Sequence, residues 1–420
     1  MPPHPGSNTP DHEIFLREPP RSAYSLFMAS ASPALTREEE LYWIALHLSP
    51  GLGPRKAQQL LAQFRTPQAI FRASRTELEH WGLSGSVAQT ISSGCGFEDA
   101  AIQQQRMLDA GARLVTFGSA DYPARLRDIF DPPVALFLRG QVALLNSVCV
   151  AMVGTRRASS YGLAASERLS RELAEAGLTV VSGMARGIDT QAHQAALDAQ
   201  GHTIAVFGCG VDVIYPAENR RLAEQIAARG LLVSEFAMGS PGYPQNFPIR
   251  NRIVSGISAG VIVVEGAQYS GSAITAKLAS DQGREVFAVP GNITSKMSWA
   301  PNLLIKQGAK LVQEWNDVVA ELSSEDRRRL ASRQRQQLLV LDPAQPSGTM
   351  PVESPPLPTG PLQQQLLGKL EFDKAAHLDH LMEVLEGTSS SEVIATLFEL
   401  ELLGMVRQLP GRNFIKVWVD

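Results

Sequence analysis

The 420-residue sequence predicts an α/β protein centred on a parallel, doubly wound sheet, on the strength of two observations. Between Val148 and Gly291 the chain repeats one unit: a short apolar strand, a Gly-rich or Arg-bearing turn, and a helical stretch. The six strand candidates are Val148 to Val153, Leu178 to Ser182, Thr203 to Phe207, Leu231 to Phe236, Val261 to Val264 and Glu285 to Val289. They are runs of Val, Ile and Leu without polar alternation, the pattern of strands buried on both faces. Their starts fall roughly 25 to 30 residues apart, room for a crossover helix each time. Ligands then belong at the carboxyl ends of the strands, where the turns read GTRR, SGMARGID, GCGVDVIYP, FPIRNRIVSG and EGAQYSGSAIT.

The flanking segments follow from local pattern. Residues 1–35 are polar and Pro-rich with no sustained period and are expected to form a disordered extension. Residues 36–105 show helical stripes, Leu41, Ile44, Ala45 and Leu48 on one and Ala57, Leu60, Leu61 and Phe64 on the next. Between them GLGPRKAQQLL has the form of a helix-hairpin-helix turn, whose backbone N–H groups either meet a phosphate or serve packing alone; Arg55 and Lys56 are the side chains that distinguish the two. Residues 106–320 hold the sheet, with Gly111 to Asn146 read as a structural extension on its edge. Residues 321–361, with the run DRRR and then many Pro, Ser and Gln, have the composition of a flexible linker. Residues 362–420 return to short helical patterns and end in MVRQLPGRNFIKVWV, a hairpin with Pro410-Gly411 at its turn. That is the outline of a winged helix. Its third helix, SEVIATLFELELLG, carries acids and no Lys or Arg, which favours protein contact over the major groove.

Composition narrows the function. Lys and Arg number 38 against 42 Asp and Glu, a net charge of −4, so a polyanion partner has to be held by a local patch. Cys95, Cys149 and Cys209 stand singly, without the spacing of a disulfide scaffold or zinc site, and fit a reducing cytosol. No basic flank with an apolar run opens the chain and no run has the length of a membrane span, so a cytoplasmic protein without membrane contact is expected.

The turns carry the chemistry. After the first strand, Gly154, Thr155, Arg156 and Arg157 precede Ser159-Ser160 at a helix start, an arrangement suited to a phosphate. The dinucleotide fingerprint G-x-G-x-x-G is absent there. In the second turn Gly183 and Gly187 flank Arg186, with Asp189 placed to cap a helix and His193 on its face. An Asp and a His four apart lack a third metal ligand, and a G-x-S-x-G elbow for acyl transfer is missing. In the third, Tyr215-Pro216 leads to Glu218, Asn219 and Arg220. In the fourth, Phe247 stands beside Arg250, Asn251 and Arg252, where it is either core or a platform for a base. The fifth ends in Ser270, Gly271 and Ser272, capping a helix that bears Thr275 and Lys277. Arg156, Arg157, Arg186, Arg250 and Arg252 are expected to converge on one rim, an electrostatic footprint for a nucleic-acid backbone.

In order, the runs GTRR…YG, VVSGMARGIDTQAH, TIAVFGCGVDVIYPAEN, LLVSEF, FPIRNRIVSG, VIVVEGAQYSGSAITAKLA and EVFAVPGNI resemble the DNA-processing protein A family, also called DprA or Smf. The resemblance covers roughly Leu41 to Trp315 and, more loosely, the C-terminal module. It implies an extended Rossmann-like, mostly parallel sheet, preceded by a small helical domain of SAM or helix-hairpin-helix type and followed by a winged helix. It also implies a non-enzymatic protein, without cofactor, metal or catalytic residue, that binds and protects incoming single-stranded DNA, forms a homodimer and loads the RecA recombinase during natural transformation. The DNA-binding residues on this reading are Gly154, Thr155, Arg156, Arg157, Gly183, Arg186, Gly187, Asn219, Arg220, Phe247, Arg250, Asn251, Arg252, Gly271, Ser272 and Lys277, with Arg156 matching the family's DNA-binding Arg after the first strand. Where many relatives carry Lys after Tyr-Pro this chain has Ala217, and Arg220, Arg221 or Arg252 is expected to substitute.

A rival reading is an enzyme on a small nucleotide, because EGAQYSGSAIT also resembles the phosphate loop of Rossmann-like nucleoside monophosphate hydrolases. Those use a carboxylate beside Gly-Gly-x-Gly-Thr. Here the second Gly and the Thr are replaced, and Glu265, the nearby acid, reads as a structural strand-end residue. A scaffold built from the helical and winged modules is the third reading.

Overall fold

The computed structural model describes residues 35–268, 270–341, 361–370, 376–385, 392–393, 396–397, 400–401, 405–409 and 413–416. The N-terminal extension up to residue 34 and the Pro-rich stretch 342–360 lie outside them. The chain divides into two compact units, Met1–Leu341 and Asp342–Asp420.

The first unit opens with six helices, α1 Arg37–Leu48, α2 Pro54–Phe64, α3 Pro67–Arg72, α4 Arg75–His80, α5 Gly85–Ser92 and α6 Phe97–Asp109. Their starts are fixed locally: Thr36 and Ser74 form capping boxes with Glu39 and Glu77, and Pro54 and Pro67 occupy first turns, where a missing N–H costs nothing. The helices bury Ile44, Leu60, Ile70, Leu78 and Ile91 in a core they share with Phe137, Ala205, Phe207 and Leu232 of the sheet. The helical module and the sheet are therefore packed as one body. Arg55 lies over the Phe130 ring, 3.9 Å from its centroid, and Gln58 donates to Pro132 O at 2.8 Å. The GLGPRKAQQLL segment thus makes packing contacts with the sheet domain.

The sheet follows: β1 Arg113–Thr116, α7 Ala124–Arg127, β2 Ala135–Gly140, β3 Cys149–Val153, α8 Ser160–Glu175, β4 Thr179–Ser182, α9 Ile188–Asp198, β5 His202–Phe207, α10 Arg220–Arg229, β6 Leu231–Ser234, α11 Asn246–Ile257, β7 Gly260–Val263, α12 Gly271–Asp281, β8 Glu285–Ala288, α13 Trp299–Lys306, β9 Lys310–Leu311, α14 Trp315–Ala320 and α15 Ser324–Leu341. Strand order is β1-β2-β6-β5-β4-β3-β7-β8-β9. From β6 to β9 neighbours run parallel, whereas β1 and β2 extend the edge antiparallel. The order reverses between β3 and β7.

All six predicted strands are present, and their apolar continuity has the expected cause. Val150, Met152, Val180 and Ile262 pack with Leu169, Leu173, Ala192 and Ala196 of α8 and α9. The alternate residues Cys149, Ala151, Val153 and Val263 pack with Ile253, Val254, Ile257 and Ala276 of α11 and α12. Every residue of β3, β4, β6 and β7 is buried, so both faces of the central sheet are covered.

Two expectations are corrected. FPIRNRIVSG is not a turn: it lies within α11. Pro248 falls in that helix's first turn, where its missing donor is not needed, and Ile253, Val254 and Ile257 supply a buried stripe. The segment after residue 321 does not begin as a linker either, since α15 runs from Ser324 to Leu341, with Ser323 accepting from Asp326 N and Arg125 pairing with the buried Asp326 at 2.5 Å. No helix among the described residues is long and apolar enough to cross a membrane.

The second unit contains α16 Pro361–Lys369, β10 Ala376–His377, α17 Leu378–Val384, β11 Val406–Leu409 and β12 Asn413–Lys416, with residues 392–393, 396–397 and 400–401 also helical. Its sheet has the order β10-β12-β11, and Leu366, Leu381, Val393, Leu397, Leu400 and Phe414 form its core. This is a winged helix with the expected terminal hairpin, Leu409 opposite Asn413; the turn at Pro410-Gly411 lies outside the described residues.

Candidate functional site

The carboxyl ends of β3, β4 and β5 and the start of α11 meet around a small pocket lined by Arg156, Gly183, Ala185, Arg186, Tyr215, Pro216 and Phe247. Four of these were expected from sequence: Arg156, Gly183, Arg186 and Phe247. Phe247 is the hub. Its ring lies 5.4 Å from Tyr215 with a 38° tilt, and the guanidinium carbons of Arg156 and Arg250 stand 5.4 and 5.9 Å from its centroid. Cationic groups at such distances are attracted to the ring. Tyr215 is 44% exposed, so the pair presents an aromatic surface to solvent beside the exposed Arg156 and Arg157.

The loop between β4 and α9 is shaped from below. Asp189 Oδ2 accepts from Gly183 N at 3.1 Å and Ala185 N at 3.3 Å, so this acid organises the turn from inside the helix rather than serving as its N-cap, which is Gly187. Burial pushes the Asp189 carboxyl up, opposed by the field of Arg250 and the two backbone donors. Gly187 has φ 74°, and a side chain there would strike Thr155 O, while a side chain at Gly154 would strike Ile188. These two glycines let the first and second turns approach, and Ile188 N donates to Thr155 O at 3.3 Å.

Several expected contacts are internal instead. Arg250 is 4% exposed and lies under Gly183, with burial holding its pKa below the usual value and Asp189 opposing that shift. Arg252 is 5% exposed and is held by Asp131 at 2.9 Å and Glu235 at 2.7 Å. Burial opposes its charge, but Glu235 and Asp131 together raise its pKa. It ties α11 to neighbouring segments and does not stand on the rim, so it is no substitute for a lysine at position 217. Asn219 is buried, its Nδ2 donating to Met184 O and Thr190 Oγ1. Asn251 is half-buried.

Gly271, Ser272 and Lys277 lie on α12, beyond β7, where Ser270 caps the helix by accepting from Ala273 N. Ser272 is buried and Lys277 exposed; neither lines the Arg156 pocket. Ala217 and Glu218 form an exposed 3₁₀ turn, followed by exposed Arg220 and Arg221. Arg186 is paired in a fork with Glu218, Nη2 to Oε2 at 2.7 Å and Nε to Oε1. The pairing holds the Glu218 carboxyl below its usual pKa. Sequence reasoning placed neither Tyr215 nor Glu218 in the site, although Tyr-Pro after the third strand was a visible signal.

Asp189 and His193 do not converge. His193 Nδ1 pairs with Thr203 Oγ1 at 2.7 Å, and burial, aided by Arg250, lowers its pKa to about 3. Burial likewise drives Cys209 up to about 12, leaving an unreactive thiol. Glu265 is committed too: its carboxylate accepts from Ser159 Oγ at 2.5 Å and Ser159 N at 2.9 Å, at the start of α8. That is the structural role read for it from sequence.

The fold and this rim define a Rossmann-like protein that exposes arginines and an aromatic pair at its strand ends. Residues 113–323 match the profile of the family described as DNA recombination-mediator protein A, and residues 350–412 match the DprA winged helix domain. The chain is 32% identical over 401 residues to Protein Smf of Synechocystis, covering 90% of this chain and 99% of that protein. It is 47% identical over 210 residues to Protein Smf of Escherichia coli, covering 50% and 56%. The crystal structure of DNA processing protein A from Streptococcus pneumoniae superposes with a TM-score of 0.62 at 35% identity, covering 67% of this chain and 98% of that one. The chain belongs to the DprA/Smf family.

Proposed function

We propose that this protein is a non-enzymatic recombination mediator that binds single-stranded DNA across the ends of β3, β4 and β5. The observation that carries the reading is the grouping of Arg156 and Arg186 with the Tyr215–Phe247 ring pair around one small pocket. Guanidinium groups hold phosphates, while rings stack bases with little regard to sequence. A duplex hides its base faces, so the rings favour a single strand. Arg157 and Arg220 extend the positive surface. The commitment of Glu265 to Ser159 speaks against a hydrolytic carboxylate. Membership in the DprA/Smf family supports the remaining parts: loading of RecA on incoming DNA during natural transformation, a homodimer, and work in the cytoplasm.

The test is a gel shift of single- and double-stranded oligonucleotides with the wild type and Arg156→Ala. The single strand is expected to bind more tightly, and Arg156→Ala to cost roughly tenfold or more in affinity while shallowing the salt dependence by about 0.7 in log–log slope. Unchanged affinity in Arg156→Ala would remove the site from this pocket.

A further inference from the structure

A second cavity lies where the strand order reverses, between the ends of β3 and β7. It offers about 560 Å³ and is lined by Ser159, Tyr161, Glu265, Pro290, Asn292 and Ser298, among others. Open α/β sheets bind their ligands at such a reversal, and sites for small molecules occupy roughly 300–1,000 Å³. The Arg156 pocket, between β3, β4 and β5, is elsewhere.

The lining decides the chemistry. It contains no cation and one carboxylate, so a phosphate is disfavoured there. Each Glu265 oxygen takes one hydrogen bond from Ser159 and keeps further acceptor capacity. Asn292 Oδ1 is occupied by Thr294 N and Oγ1, which aims its amide donors away from that turn. Tyr161 is 50% exposed, yet its hydroxyl donates to Pro290 O at 2.5 Å, so the ring is a fixed wall. Donors, acceptors and a held ring in one uncharged-to-acidic crevice match the edge and face of a nucleobase.

We propose that this crevice seats the base and sugar of a nucleotide adjacent to the one whose phosphate meets Arg156. The inference rests on the single-strand reading above. The linking observation is that Arg156 lines one cavity and Ser159 the other, three residues apart on one loop, at most about 11 Å of chain. A strand crossing that loop places phosphate on the arginine side and base on the tyrosine side.

An abasic scan tests it: a short single strand in which one nucleotide at a time lacks its base, bound to wild type, Tyr161→Ala, Asn292→Ala and Arg156→Ala. Tyr161 and Asn292 are exposed, so both substitutions are tolerable to the fold. Wild type is expected to lose between about five- and a hundredfold at a position that Tyr161→Ala and Asn292→Ala make indifferent to the missing base. A base dependence that persists unaltered in both variants, or a flat scan, overturns the crevice assignment while an Arg156→Ala loss leaves the DNA reading standing. No loss in Arg156→Ala overturns that reading itself.

Discussion

The guanidinium of Arg250 lies so close beneath Gly183 that a Cβ on the glycine would stand 1.5 Å from Nη1. The clashing atom is the end of a flexible chain, but Arg250 is 4% exposed beside Asp189 and Phe247, so displacing its guanidinium disturbs a packed and charged interior. Gly183→Ala is therefore expected to lower stability by about 1–3 kcal/mol, read as a lower denaturant midpoint, and to weaken single-strand binding by moving the loop that carries Arg186. A variant with wild-type midpoint and wild-type affinity would show that the loop shifts freely.

Glu218 is paired with Arg186 and, on the proposed single-strand reading, competes with DNA for it. A phosphate that engages Arg186 has to displace a carboxylate already docked on its fork, so part of the electrostatic gain is lost in advance. The pair is solvent-exposed and contributes little stability by itself. Glu218→Gln should bind single strands several-fold more tightly at low salt, with a log–log salt slope steeper by about 0.7. Weaker binding in a titration across salt concentrations would instead assign Glu218 the task of orienting Arg186.

Acid should destabilise the sheet domain through His193. Its folded pKa is about 3 and its unfolded value about 6.5. The stability tied to its neutral form is thus complete above about pH 6.5 and is lost as pH falls toward 3, at up to about 1.4 kcal/mol per pH unit. The groups acting on it are Arg250, whose field works in the same direction, and Thr203, its hydrogen-bond partner. Asp189, whose pKa is raised, contributes in the opposite sense, losing stability as pH rises. Comparing His193→Gln with wild type isolates the histidine: urea midpoints measured from pH 7 to 4 should fall less in the variant, and parallel curves would contradict the burial argument.

What sequence made legible was whatever depends on neighbours along the chain. The strands from Cys149 to Ala288 were found because parallel strands buried on both faces leave an unbroken apolar run. The caps at Ser159 and Ser270 were legible for the same local reason. Burial of the arginines was not. Arg252 finds Asp131 at a separation of 121 residues, and Arg250 lies under Gly183, a relation between two turns that only the folded sheet creates. The FPIRNRIVSG segment misled because Pro, Gly and Arg look like a turn, although Ile253, Val254 and Ile257 already had helical spacing.

If the rim holds a single strand as proposed, the withdrawal of Arg250 and Arg252 into the interior changes how grip on a long strand has to be achieved. One copy presents Arg156 and Arg157, a partly neutralised Arg186, and Arg220 and Arg221 at the next turn, a seat for only a few phosphates. On the proposed reading, tight hold on a polymer would grow by repetition: copies side by side would raise the effective concentration of each next seat, and a series of modest contacts would gain in avidity what a single one lacks.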